Sequence, residues 1–95
     1  MTAGDRLGIR HNPERHRFEA DVDGELAHLD YEPVGDDTLD YQHTWTPPAA
    51  RGRGIGRAMV RYALRYAREH GKKVIPNCPF VKSVMEEDGE DQGAG

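Results

Sequence analysis

The sequence predicts an α/β (α+β) domain: a mostly antiparallel, twisted sheet of about four or five strands with a long central helix and a short C-terminal helix. Three observations lead there. Between Phe18 and Thr46, three runs alternate apolar and polar residues with the period of strands and are joined by turn sequences. Between Gly54 and His70 the apolar residues change to helical spacing. After Gly71 there is room only for one brief apolar run and a proline-led segment, read as a last strand and a small helix.

Taken in order, Gly8 to Asn12 reads as a short extended piece after a loose end over Met1 to Arg6. Asn12-Pro13-Glu14 reads as a turn, because proline bars its predecessor from the helical region. Phe18, Ala20 and Val22 share one face of the next strand, and Glu19 and Asp21 the other. Asp23-Gly24 is a two-residue turn whose twist matches its strands, so the chain should return at once, antiparallel. Glu25 to Glu32 then places Ala27, Leu29 and Tyr31 opposite Leu26 and His28, and Pro33 to Asp37 turns again. From Thr38 to Thr46, Leu39, Tyr41, His43 and Trp45 alternate with Thr38, Asp40, Gln42 and Thr44. His43 is therefore expected on the apolar side unless a bulge intervenes.

Pro47-Pro48 ends that strand, since proline has no N–H for the ladder. In the long helix Ile55, Met59, Val60, Ala63, Leu64 and Ala67 form one stripe, with Arg57, Arg61, Arg65 and Arg68 opposite. Gly71 supplies its C-terminal cap, where Arg68 and His70 meet the negative end of the dipole. Lys73-Val74-Ile75 is a brief strand stopped by Pro76. Pro79 opens a shorter helix to about Glu87, expected to bury Phe80, Val81 and Val84.

Residues 1–88 are read as a single domain and residues 89–95 as a flexible acidic, glycine-rich tail. No apolar run approaches the ~18 residues that span a bilayer, and no signal-peptide core stands at the N-terminus. The single cysteine excludes an internal disulfide. A cytoplasmic, monomeric protein without a membrane partner is the expectation. Charge is unevenly spread. From Arg51 to Lys73 eight basic residues stand against Glu69 alone, in a chain whose net charge is −4. A basic face on an acidic protein suits a compact polyanion better than long nucleic acid, which the acidic remainder would repel.

The basic face begins at the stretch His43 to Arg57, where a strand end, a proline turn and a glycine-rich loop open into the long helix. Unpaired N–H groups, the helix dipole and glycines that admit close approach make such a junction an anion site. The plain alternative is a helix start with convenient glycines. Neither Gly52-x-Gly54-x-x-Arg57 nor Gly54-x-Gly56-x-x-Met59 completes a dinucleotide fingerprint, and no Gly-Lys-Ser/Thr follows for a nucleotide P-loop.

Arg51-x-x-Gly54-x-Gly56 resembles the Gln/Arg-x-x-Gly-x-Gly/Ala signature of the GNAT acyltransferases. His43-Thr44 ahead of Pro47, then the loop, then Pro76-Asn77-Cys78-Pro79-Phe80, is similar to the small stand-alone GNAT-like proteins over nearly the whole chain. The resemblance implies a minimal GNAT-like fold and an acetyl-CoA-dependent N-acetyltransferase acting on an amine, either a small molecule or a protein lysine. It implies that main-chain amides of Arg53, Gly54, Ile55, Gly56 and Arg57 hold the pyrophosphate of coenzyme A, with Gly52 in the same cofactor-binding loop. Arg51 or Arg53 would screen its charge, and main-chain groups of Thr44, Trp45 and Thr46 would pair with the pantetheine arm.

Cys78 and His43 are the candidate catalytic residues. Cys78 precedes a helix N-terminus, where a thiolate is favoured, yet lone cysteines are commonly small apolar core residues. His43 carries a ring that can accept a proton near neutral pH, or can serve as a hydrogen-bonded core residue. Direct transfer would use His43 or a water as base, and a covalent route would load Cys78 first. The tyrosine that many GNAT enzymes use as general acid has no counterpart between Val81 and Glu87, which leaves Cys78 as the local substitute. His11, His16, His28 and His70 show no metal-ligand spacing with Cys78 or one another, so no metal is expected. Two other classes stand beside the enzyme. One is a coenzyme A-binding module with little transferase activity, for which the missing tyrosine speaks, as does a thin substrate wall: the resemblance implies two helices between the first strands of larger GNAT enzymes, where this chain has only Asp23-Gly24. The other is an RNA-binding protein, motivated by Arg51-Gly-Arg-Gly. Overall acidity and the absence of aromatics between those arginines speak against RNA.

Overall fold

A computed structural model of the chain describes residues 8–89. The loose end expected over Met1 to Arg6, and the tail from residue 90 onward, lie outside the described residues. Five strands form one mixed sheet in the order β1-β2-β3-β4-β5: β1 (Arg10–Asn12), β2 (Arg17–Val22), β3 (Glu25–Val34), β4 (Thr38–Trp45) and β5 (Lys73–Pro76). The first four are antiparallel neighbours, and β5 lies parallel to β4. A parallel pair needs a crossover, here α1 (Ile55–Glu69), and α2 (Pro79–Glu87) follows β5. The sequence placed each of these elements.

The core lies between one face of the sheet and both helices. Phe18, Ala20, Val22, Ala27, Leu29, Leu39 and Tyr41 meet the stripe Ile55, Met59, Val60, Ala63, Leu64 and Ala67, together with Val81, Val84 and Met85 of α2. Tyr41 is wholly buried, and its hydroxyl donates to the Ala63 carbonyl at 2.6 Å. That bond ties β4 to the middle of α1; burial pushes the Tyr41 phenol far above its ordinary range. Asp23 and Gly24 both adopt positive φ, as a turn with the twist of its strands requires. Past α1, the Lys72 N–H bonds the Ala67 carbonyl and the Gly71 N–H the Arg68 carbonyl, with Gly71 at φ +66°. This double closure stops the helix and turns the chain into β5.

Three details depart from the sequence reading. First, β3 runs through Pro33 to Val34, where a turn was expected. Its pairing with β2 ends at Arg17 opposite Asp30, so beyond that point β3 is an edge and tolerates proline. Second, Tyr31 pairs with Tyr41 while Asp30 pairs with His43, leaving Gln42 as the extra residue of a β-bulge. The bulge reverses the alternation, so His43 is exposed and leaves the core face on which strict alternation puts it. Third, α2 buries Met85 rather than Phe80, which is only half-buried and turns towards the start of α1.

Candidate active site

The bulge falls where the sheet divides. Parallel pairing of β4 with β5 ends at Tyr41 opposite Pro76, and the Cys78 N–H caps the Tyr41 carbonyl at 2.9 Å. Beyond that bond β5 turns into α2 while β4 continues to Trp45, paired with β3 alone. The two strands part there, and the edge of β4 over Gln42 to Trp45 has no strand beside it on that side. At the mouth of the split lies a cleft of about 400 Å³ lined by Thr44, Trp45, Thr46, Ala50, Arg51, Gly52, Gly54, Ile55, Gly56, Arg57 and Phe80.

The floor of the cleft is the start of α1. Gly54 is the N-cap at φ +79° and carries no side chain to bond the first amides. The first bond into the helix runs from the Ala58 N–H to the Gly54 carbonyl. The N–H groups of Ile55, Gly56 and Arg57 are therefore the orphan donors of the helix, aimed with its positive dipole end into the cleft. Gly52 and Gly54 serve through backbone conformation, at φ +83° and +79°. Gly56 serves through space: a Cβ there would stand 3.2 Å from both Phe80 Cε2 and Thr46 Oγ1. A side chain at Gly56 would fill the cradle.

The arginines of the loop are already engaged. Arg51 Nε donates to the Thr46 carbonyl at 3.1 Å, which closes the proline turn over a short 3₁₀ segment, Pro48–Ala50. Arg53 pairs with Asp23 at 3.1 Å, tying the loop to the β2–β3 turn and away from the cleft lining. Arg57 holds Glu87 through two hydrogen bonds of 2.9 and 2.7 Å and lies over the Phe80 ring. Arg61 grips Asp88 in the same way. These ion pairs clip the end of α2 to the start of α1. Hydrogen bonding from Arg57 and Arg61 holds Glu87 and Asp88 below the usual carboxylate range.

Of the sequence-derived site residues, the structure brings Thr44, Trp45, Thr46, Arg51, Gly52, Gly54, Ile55, Gly56 and Arg57 to one cleft. Cys78 sits beside it, buried at the N-cap of α2, with Sγ 3.5 Å from Thr44 Oγ1. His43 is on the other side of the sheet. Successive strand residues point to opposite faces, and since Thr44 reaches Cys78, His43 faces away from it, with the His28 ring 6.2 Å off. The expected pairing of His43 as base to Cys78 is therefore not what the bulged strand provides. Sequence reasoning missed Phe80 and Ala50 as cleft lining. Phe80 directly follows the helix-opening proline, on the turn of α2 nearest the α1 start, and that placement was the available signal. Among the described residues no group of three or more His, Cys, Asp or Glu is placed to hold a metal ion, and no helix is long and apolar enough to cross a membrane.

Comparison with known proteins agrees with this geometry. The family pattern described as GCN5-related N-acetyl-transferase matches residues 17–93. Protein NATD1 of Danio rerio is 33% identical over 89 residues, covering 92% of this chain and 81% of that protein. Protein NATD1 of Homo sapiens is 32% identical over 89 residues, covering 92% and 79%. A solution NMR structure of a GCN5-like protein from Staphylococcus aureus superposes with a TM-score of 0.62 at 24% identity, covering 86% of this chain and 80% of that one, which shows a shared fold. With that pattern across the sheet, the cleft and both helices, the chain is an acyltransferase that belongs to the GCN5-related N-acetyltransferase family.

Proposed function

We propose that the protein transfers acetyl from acetyl-coenzyme A to an amine, with the diphosphate held at the start of α1 and the acyl end lodged in the split between β4 and β5. The observation that carries this reading is the set of orphan amides of Ile55, Gly56 and Arg57 opening into a cleft that continues along the unpaired edge of β4. Three amides at a helix N-terminus fit a diphosphate. An open strand edge fits the amides of a pantetheine arm, which would lie there as a short added strand. Cofactor binding without transfer would use the same features, and turnover separates the two.

Acetyl-coenzyme A supplies an activated thioester; the rest is the work of this chain. His43, exposed on the helix-free face beside the bulge, is positioned to take the proton from an amine approaching from that side. The bulge at Gln42 frees backbone groups from the ladder, and an amide so released can polarise a carbonyl oxygen. Cys78 and Thr44, hydrogen-bonded to each other on the opposite side, form the proton-bearing pair nearest the split and would return a proton to the leaving thiolate. Amine attack would form the C–N bond as the C–S bond breaks, the nitrogen's proton passing to His43 and one from the Cys78–Thr44 pair to the thiolate, with solvent taking the first and restoring the second before the next turnover. Direct transfer is favoured because His43 and Cys78 stand on opposite faces, so the histidine does not prepare the thiol as a nucleophile. The test is calorimetric titration with coenzyme A alongside acetyl transfer to an amine panel. Saturable binding with turnover is expected, and binding without turnover on any amine would leave a cofactor-binding module.

A further inference from the structure

Both helices pack on one face of the sheet, and among the described residues no helix covers the other. Charge on that bare face is divided. Over β1 and β2, Glu19 and Asp21 are matched by Arg10 and Arg17. Over β3 and β4, Asp30, Glu32 and Asp40 form no ion pair with a lysine or arginine among the described residues: Arg17, opposite Asp30, is engaged by Glu19, and Lys73 stands opposite Thr38 at the far end. Asp30 is held by His28 at 3.0 Å, and Asp40 takes its hydrogen bonds from the amides of Asn77 and Gln42. Glu32 stands directly opposite Asp40 in the β3–β4 register, and two facing carboxylates repel unless a cation comes between them. Next to them are His43, and Trp45 stacked on His28 with ring centroids 5.9 Å apart. At the far end Ile75 and Val34 are exposed apolar residues.

We propose that this face, over β3, β4 and β5, is the docking surface for the acceptor, and that the acceptor is a lysine in a basic, extended polypeptide segment. The inference rests on the acetyl-transfer reading above and narrows its acceptor. The carboxylates complement a cationic chain, and Trp45 offers an aromatic face to an ammonium group. The eight residues of β4 span about 25 Å at strand rise, enough for a short extended segment. An open sheet offers little of the enclosure that buries a small ligand, which favours a polypeptide over a free polyamine. His43 then lies where the lysine side chain arrives.

The experiment is an amide-shift titration of the ¹⁵N-labelled full chain with a Lys-Gly repeat octapeptide, run with and without saturating coenzyme A. A Glu-Gly octapeptide and spermidine serve as controls. Shifts are expected along His28 to Glu32 and Asp40 to Trp45, and Asp30→Asn and Glu32→Gln should each weaken peptide binding by about 2- to 5-fold at low salt. Their affinity for coenzyme A should stay unchanged. The proposal is overturned if the lysine peptide shifts no residue of this face, if the glutamate peptide binds equally, or if both variants bind as the parent does. Spermidine binding as tightly as the octapeptide would overturn the polypeptide assignment. Loss of coenzyme A binding in the parent would count against the transferase reading instead, while the cofactor-free titration still reads the docking face.

Discussion

Gly56→Ala separates the stability of the fold from the function of its cleft. Gly56 has an ordinary helical φ, so alanine brings no backbone strain and gains about 0.5–1 kcal/mol of helix propensity. Against that, the new methyl would lie 3.2 Å from Phe80 Cε2, 3.2 Å from Thr46 Oγ1 and 3.5 Å from Phe80 Cζ. Those groups must yield by tenths of an ångström, an overpacking of about 1–3 kcal/mol in a closed core and less here, where Phe80 is half-buried. Net stability should change by no more than about 1–2 kcal/mol. Binding should respond far more. The methyl stands between the anion and the helix start, and losing one hydrogen bond to a charged acceptor is worth about 1.5–3 kcal/mol, roughly 10- to 100-fold in affinity. Urea unfolding would give the stability and calorimetry with coenzyme A the affinity. A folded Gly56→Ala protein that binds as the parent does would refute this reading of the cleft floor.

Four further outcomes follow from the same structure. Gly54→Ala should destabilise by about 1–2 kcal/mol in chemical denaturation, because the site is open but its φ of +79° is left-handed. Tyr41→Phe should cost about 1 kcal/mol by the same measurement, through loss of the buried bond to Ala63. His11→Ala is not the informative change at the β1 edge; His11→Phe is, since the ring stacks on Phe18 and contacts Tyr66. Burial, and then the neighbouring His70 and His16, lower the His11 pKa. The folded state therefore binds fewer protons, and stability should fall as pH drops through the unfolded value near 6.5, levelling off below the folded one. Denaturation midpoints of His11→Phe should show a shallower fall over that window. With an active amine, His43→Ala should lower kcat at neutral pH by about 100-fold or more, Cys78→Ala should lower it by less because Thr44 still bears a proton beside the split, and intact mass should show no acetylated protein in either case. An acetyl group on Cys78 would reverse the choice of route.

Much of the fold was legible because local chemistry and global packing agree. The apolar stripe from Ile55 to Ala67, Asp23-Gly24 and Gly71 each state their conformation within a few residues, and the structure uses each as written. What the sequence concealed lies in pairing between strands. Nothing near Gln42 marks it as an extra residue; the bulge follows from matching β4 to β3 across the sheet, and it moves His43 to the opposite face. Pro33 reads locally as a turn, and only the early end of β2 makes it acceptable within β3. Within the site, the glycine loop was visible as a motif, but the two roles of its glycines were not. Gly52 and Gly54 answer to φ, while Gly56 answers to Phe80 and Thr46, which are distant in sequence and close in space.

The central claim is that the first amides of α1 hold the diphosphate of coenzyme A. Amide shifts of the labelled protein test it most directly when coenzyme A is added alone. The account predicts saturable shifts at Ile55, Gly56 and Arg57, with a second set along Thr44 and Trp45 from pairing at the β4 edge. Saturable binding that leaves the Ile55 to Arg57 amides unmoved, or no binding at millimolar cofactor, would contradict it.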